Sequence, residues 1–153
     1  MYGRSFKLFT LFGIEIRLNV SWVFIAMLLS WALSQGYFPT VYEGLSPATY
    51  WWMGIVAVFG LFFSILLHEL AHSVVAQAFG MEIKSITLWL LGGVAEMTDE
   101  PPHPRAEFLM ALAGPMMSVL LAVFFFLMNS VLPEGEGAVP LGAVVQYLSL
   151  LNM

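Results

Sequence analysis

Apolar residues in this chain fall into long unbroken runs, not the short helical or strand periods of a soluble domain. Leu18 to Gln35, Thr49 to Leu67 and Phe108 to Leu132 contain no charged residue. A bilayer core is crossed by about 20 helical residues, so each run predicts a spanning helix. A fourth run, Ala138 to Met153, has room from Pro140 onward for only about 20 Å of helix. That is short of the roughly 30 Å core and predicts a partial fourth span. The chain then reads as a piece of a longer protein, or as one whose span another chain completes. The first run starts too late and runs too long for a secretory signal, and no Ala-x-Ala pattern follows it.

Two segments look like strands. Ile14 to Val20 alternates apolar and polar residues, and Gly13 can turn it back onto Phe6 to Thr10. Ile83 to Leu90 is a second β-like run, and Gly92-Gly93 is a turn signal leading into Val94 and Glu96. The Asp99 to Arg105 stretch, with three prolines, is a loop, and Pro104 is placed to start the third span. An open sheet edge cannot face lipid, so the strands belong at the membrane surface or against the bundle. The predicted fold is a polytopic α-helical membrane protein. It has three full transmembrane helices, a partial fourth and a small β-sheet at the cytoplasmic interface. Residues 1–153 form a single transmembrane core, incomplete at the C-terminus.

Charge sets the orientation. Arg4, Lys7 and Arg17 precede the first span, and Lys84 and Arg105 lie between the second and third. The Gly36 to Ala48 and Pro133 to Val139 loops carry no basic residue. Positive charge stays inside, so the N-terminus and the Met81 to Ala106 loop are expected on the cytoplasmic side. Tyr50, Trp51 and Trp52 then open the second span as an outer aromatic belt.

Composition agrees. Of 153 residues, 60% are hydrophobic and 10% charged, against about 45–50% and 25% in soluble domains. The net charge of −5 leaves no basic stripe for nucleic acid. With no cysteine, any transition-metal site must be built from His, Asp or Glu.

Such a site is offered by His68-Glu69-Leu70-Ala71-His72 at the cytoplasmic end of the second span. Histidines four apart on a helix differ by about 40° in direction and about 6 Å in height, so both can reach one Zn²⁺ ion. Glu69, beside the first ligand, is the expected general base. Three ionisable groups this deep are costly unless paired or hydrated, and a metal with water compensates most simply. Elsewhere plainer readings hold. His103 is expected to be a solvated loop residue. Ala113-Gly114-Pro115 can be no more than a kink. The ten methionines and Phe124-Phe125-Phe126 pack or face lipid.

These pieces together resemble the site-2 protease family of intramembrane zinc metalloproteases. The resemblance rests on Leu67-His68-Glu69-Leu70-Ala71-His72-Ser73, then Leu91-Gly92-Gly93-Val94-Ala95, then Ala113-Gly114-Pro115, in order and at fitting spacing. Phe12-Gly13-Ile14 and Leu148 to Asn152 resemble the compact prokaryotic branch, whose members often carry a C-terminal CBS-domain pair.

The resemblance implies zinc on His68 and His72, with Glu69 as the base. The substrate would be the transmembrane segment of another protein, held as an added strand by Gly92, Gly93 and Val94. It also implies a prokaryotic cell membrane and a C-terminal regulatory domain or a homo-oligomer beyond this chain. The family's third ligand, an Asp in an Asn-Pro-x-Asp-Gly-like motif, has no counterpart here, since Asp-Gly does not occur. A second reading is therefore a non-catalytic module, or an inactive piece of such a protease, that binds helices without cleaving. A metal transporter is a third and needs polar residues along more spans than this chain has.

Overall fold

The computed structural model describes residues 4–90, 92–98, 100–133, 135 and 137–153. Leu91 of the Gly-Gly motif, Asp99, and Glu134 and Glu136 of the last loop lie outside them. The chain forms β1 (Ser5–Leu11), β2 (Ile14–Asn19), α1 (Val20–Ala32), a π-helical turn (Leu33–Tyr37) and α2 (Phe38–Val41). It continues through α3 (Pro47–Ala78), β3 (Ile83–Trp89), β4 (Gly92–Met97), α4 (Pro104–Ser130) and α5 (Val139–Leu151). Three helical stretches, Val20–Val41, Pro47–Ala78 and Pro104–Ser130, are long and apolar enough to cross a membrane. At 13 residues, α5 is about 20 Å long, as its short apolar run requires.

Two compact units divide the chain. The first comprises residues 1–24 and 65–117. It holds a four-stranded sheet in the order β1-β2-β3-β4, with β2 and β3 parallel and the outer pairs antiparallel. The β2–β3 register sets Ile16 beside Ile86 and Leu18 beside Leu88, and of these Ile16, Ile86 and Leu88 are buried. Glu15, Arg17, Ser85 and Thr87 occupy the opposite face, as the two-residue period dictates. Gly92 and Gly93 do not form the turn that their sequence suggests. They are the first residues of β4, opposite Trp89 and Leu88, because the chain has already reversed after Trp89. Gly92, at φ 136°, has a backbone conformation that other residues rarely adopt.

Local signals fix the helix ends of this unit. Asn19 caps α1, its side-chain oxygen accepting the Ser21 N–H. The C-terminus of α3 closes as a Schellman motif. Gly80 at φ 81° donates to the Gln77 carbonyl and Met81 to that of Ala76. His103 is an exposed loop residue, as expected, and it also caps a helix. Its ring Nδ1 accepts the Ala106 N–H at 3.0 Å and caps α4, while the ring stands edge-on to Phe79. Pro104 follows at the first helical position, where its missing N–H costs nothing.

The second unit, residues 25–64 and 118–153, is helical. Ser46 caps α3 through the Thr49 N–H, with Pro47 next. Trp51 and Trp52 are exposed as a belt requires, but Tyr50 is buried. Its hydroxyl donates to the Tyr42 carbonyl and accepts from the Leu45 N–H, tying down the loop before α3. Close helix approach rests on small residues. A Cβ at Gly54 would strike the Ser34 hydroxyl and the Ser30 carbonyl, and one at Gly60 would strike Leu148. Polar bonds join α5 to its neighbours. Ser149 donates to the Ala122 carbonyl, and the Asn152 amide donates to Ser64 Oγ and to the Leu148 carbonyl.

Candidate metal centre

All the chemistry predicted for His68, Glu69 and His72 falls in the first unit. The three residues lie on α3, with the histidines one turn apart. Their rings meet edge to face with centroids 4.8 Å apart, and the two Nε2 atoms lie 3.1 Å apart. The Met110 carbonyl of α4 stands 2.6 Å from His72 Nδ1. A carbonyl only accepts, so Nδ1 carries the proton and Nε2 of the neutral ring presents its lone pair. Met110 lies five residues before Pro115, inside α4, and the carbonyl that Pro115 leaves without its helical N–H is that of Ala111. Proline removes a ladder hydrogen bond and bends the helix, and a carbonyl has a second lone pair to offer.

The space before the two ring nitrogens is kept open by an absence. A Cβ built on Gly114 would collide with His72 Nε2 and come within 2.5 Å of His68 Nε2. A glycine is thus required where Ala113-Gly114-Pro115 passes the histidine pair, so this motif does more than kink a helix. Gly93 serves Glu69 in the same way. A Cβ there would press on the Glu69 side chain, 3.0 Å from its Cδ and 3.3 Å from Oε1. The carboxylate therefore lies over the backbone of β4. Gly93 pairs with Leu88 on the buried face of the sheet, while Val94, opposite Thr87, points to the other face. There it lines a cavity of about 320 Å³ with Arg17, Thr87 and Glu96. Of the proposed substrate-binding residues, only Gly93 approaches the HExxH side chains through its side-chain position. Gly92 and Val94 share its strand.

This donor set fits zinc. Two nitrogens about 2.0–2.1 Å from one tetrahedral ion lie about 3.3 Å apart, close to the 3.1 Å observed. A ring whose far nitrogen is bonded to a backbone carbonyl is the usual arrangement of a zinc histidine. Among the described residues, no cluster of three or more His, Cys, Asp or Glu side chains could hold a metal ion. The pair would therefore supply two of the three protein ligands that a catalytic zinc normally has.

Sequence reasoning missed the Met110 carbonyl, which has no side-chain signature, and the reason for each glycine. The signal for the glycines was their presence inside a strand and inside a helix, where glycine is disfavoured without a close neighbour.

Comparison with known proteins follows the same lines. The model of Peptidase family M50 matches residues 56–149. The chain is 36% identical over 151 residues to the Synechocystis protein sll0528, and 39% identical over 109 residues to Rip3 of Mycobacterium tuberculosis; both are named as zinc metalloproteases. It spans 38% and 28% of the lengths of these two relatives. The structure of a site-2 protease from Methanocaldococcus jannaschii has the same fold. The TM-score is 0.60 over 97% of this chain and 63% of that one, at 24% identity. With its paired histidines on a membrane-spanning helix, this chain belongs to peptidase family M50, the site-2 proteases.

Proposed function

We propose that this chain forms the HExxH half of an intramembrane zinc metalloprotease that cleaves a peptide bond in or near a transmembrane segment of another protein. The observation that carries this reading is the convergence of His68 Nε2 and His72 Nε2 on the space cleared by Gly114. Zinc bound there would supply a Lewis acid and lower the pKa of a water molecule. His72 is held in the tautomer that leaves Nε2 free to bind, and Met110 prevents its ring from turning away. Glu69 Oε1, lodged over Gly93, takes the proton from the attacking water and returns it to the leaving amide nitrogen.

A helical substrate has its scissile amide shielded, so it must unwind to be cut. β4 is last in the strand order, and its main chain at Gly92, Gly93 and Val94 can pair with the unwound segment as an added strand. That pairing satisfies backbone groups that lipid cannot. The distribution of the basic residues supports a site near the cytoplasmic face, and the bacterial relatives support a prokaryotic membrane. In the complete protein, Glu69→Gln should retain zinc and cleave no transmembrane substrate, while His68→Ala should lose both zinc and cleavage. A Glu69→Gln variant cleaving at the normal rate would remove Glu69 from the mechanism. Full zinc content in His68→Ala would refute the metal site.

A further inference from the structure

Outside the metal centre, the most unusual surface is that of the N-terminal hairpin. Phe6, Phe9 and Leu11 of β1 pair with Leu18, Ile16 and Ile14 of β2, and directly paired side chains share a face. An irregularity between Lys7 and Phe9 accommodates Leu8 and brings Phe6 and Phe9, three apart, to the same side. On this face Ile14 and Ile16 are fully buried, whereas Phe6 is 60% exposed and Phe12, at the turn, 66%. Phe9 and Leu11 are exposed as well. The buried apolar face of the sheet thus continues onto β1, where no other described residue covers it. The opposite face of the hairpin is polar, and Lys7 reaches Glu15 there at 2.7 Å. A contiguous apolar patch beside a charged one marks an interaction surface.

Its position decides the occupant. Both ends of the hairpin are tethered to the ends of membrane-spanning helices. At the open end, the Val20 N–H that begins α1 donates to the Arg4 carbonyl at 3.2 Å. At the turn, the Gln77 amide, one residue before the end of α3, donates to the Phe12 carbonyl at 3.3 Å. Successive spans run in opposite directions, so the start of α1 and the end of α3 share one side of the membrane. A hairpin tied to both lies along the membrane surface, not upright from it.

We propose that β1–β2 is an interfacial lipid-binding element, its uncovered face of Phe6, Phe9, Leu11 and Phe12 resting on the acyl–headgroup boundary of the bilayer. The depth is limited from below. β1 is an edge strand, and unpaired edge amides are satisfied by headgroups and water but not by hydrocarbon. The aromatic rings therefore enter only the outermost acyl region. Arg4, exposed at the base of the hairpin, meets anionic headgroups.

The chain has no cysteine, so single labels are clean. Phe9→Cys, Phe12→Cys and Thr10→Cys, each in the full chain, would carry an environment-sensitive fluorophore in vesicles of phosphatidylcholine and phosphatidylglycerol. Thr10 pairs with Glu15 on the polar face and is the control. Labels at 9 and 12 should be quenched several-fold more by lipids with a shallow nitroxide than by aqueous iodide, and weakly by lipids with a nitroxide near the bilayer centre. The label at 10 should show the reverse preference for iodide. Iodide quenching at 9 and 12 equal to that at 10 would overturn the proposal. So would self-quenching or disulfide formation between copies at 9, which would give the face to a second chain. Should Phe9→Cys fail to fold, as judged by circular dichroism and elution, Leu11→Cys reports on the same face.

Discussion

The two units use glycine for opposite ends. In the unit of residues 25–64 and 118–153, Gly54 and Gly60 let other groups fill the space, with Ser30, Ser34 and Leu148 packed where a Cβ would be. In the unit of residues 1–24 and 65–117, Gly114 keeps a space empty before two ring nitrogens, and Gly93 lets a carboxylate lie on a strand. The first use is helix packing in a membrane, where close approach replaces the missing hydrophobic drive. The second is clearance for the histidine pair and the Glu69 carboxylate. The difference shows that a membrane glycine is explained by what faces it, not by its helix.

Substitutions can separate these uses. The largest effect is expected for Glu69→Gln, with cleavage by the complete protein falling at least about a hundredfold while zinc per chain is unchanged. Next comes Gly114→Ala, whose methyl group would occupy the metal position. Zinc affinity should fall at least about tenfold, with the circular dichroism spectrum retained. Metal titration checks this, and unaltered affinity would reduce Gly114 to a packing residue. Gly60→Ala should do the converse, costing about 1–3 kcal/mol of stability by overpacking against Leu148. Its zinc content per folded chain should not move, as thermal denaturation and metal analysis on one sample would show.

A smaller effect, about 1 kcal/mol, is expected for His103→Ala, which removes the α4 cap. His103→Asn, a good capping residue, should restore it. The smallest concerns the exposed pair of Lys7 and Glu15. The Lys7 hydrogen bond, aided by the charges of Lys7 and Arg17, holds the Glu15 carboxyl below its ordinary range. The pair's contribution is present at neutral pH and is lost only as acid protonates Glu15 below that range. Lys7→Met should remove this small contribution at neutral pH and so flatten the acid limb, leaving stability below that range unchanged.

Most of the architecture was legible because it is written locally. Unbroken apolar runs gave the three spans, period-two alternation gave β2, a β-like run gave β3, and the four-residue spacing of His68 and His72 implied their shared direction. Pro104 also marked the start of α4. The cap beside it was missed because histidine is an uncommon capping residue. What stayed hidden depends on partners distant in sequence. Met110 fixes the His72 tautomer through a backbone atom. Asn152 is a hydrogen-bond donor to Ser64, and no pattern around it announces this. The inward turn of Tyr50 follows from carbonyl and amide groups in the preceding loop, which only the folded chain presents.

The parallel pairing of β2 with β3 bears on how the molecule is made. Parallel neighbours need a crossover connection, and here everything from Val20 to Glu82, two spans included, separates the strands. So non-local a pairing forms late. During synthesis the N-terminal hairpin must wait at the membrane until both spans are threaded and β3 emerges. Gly93 lies on β4, which docks on β3, so the strand beneath the Glu69 carboxylate arrives after insertion.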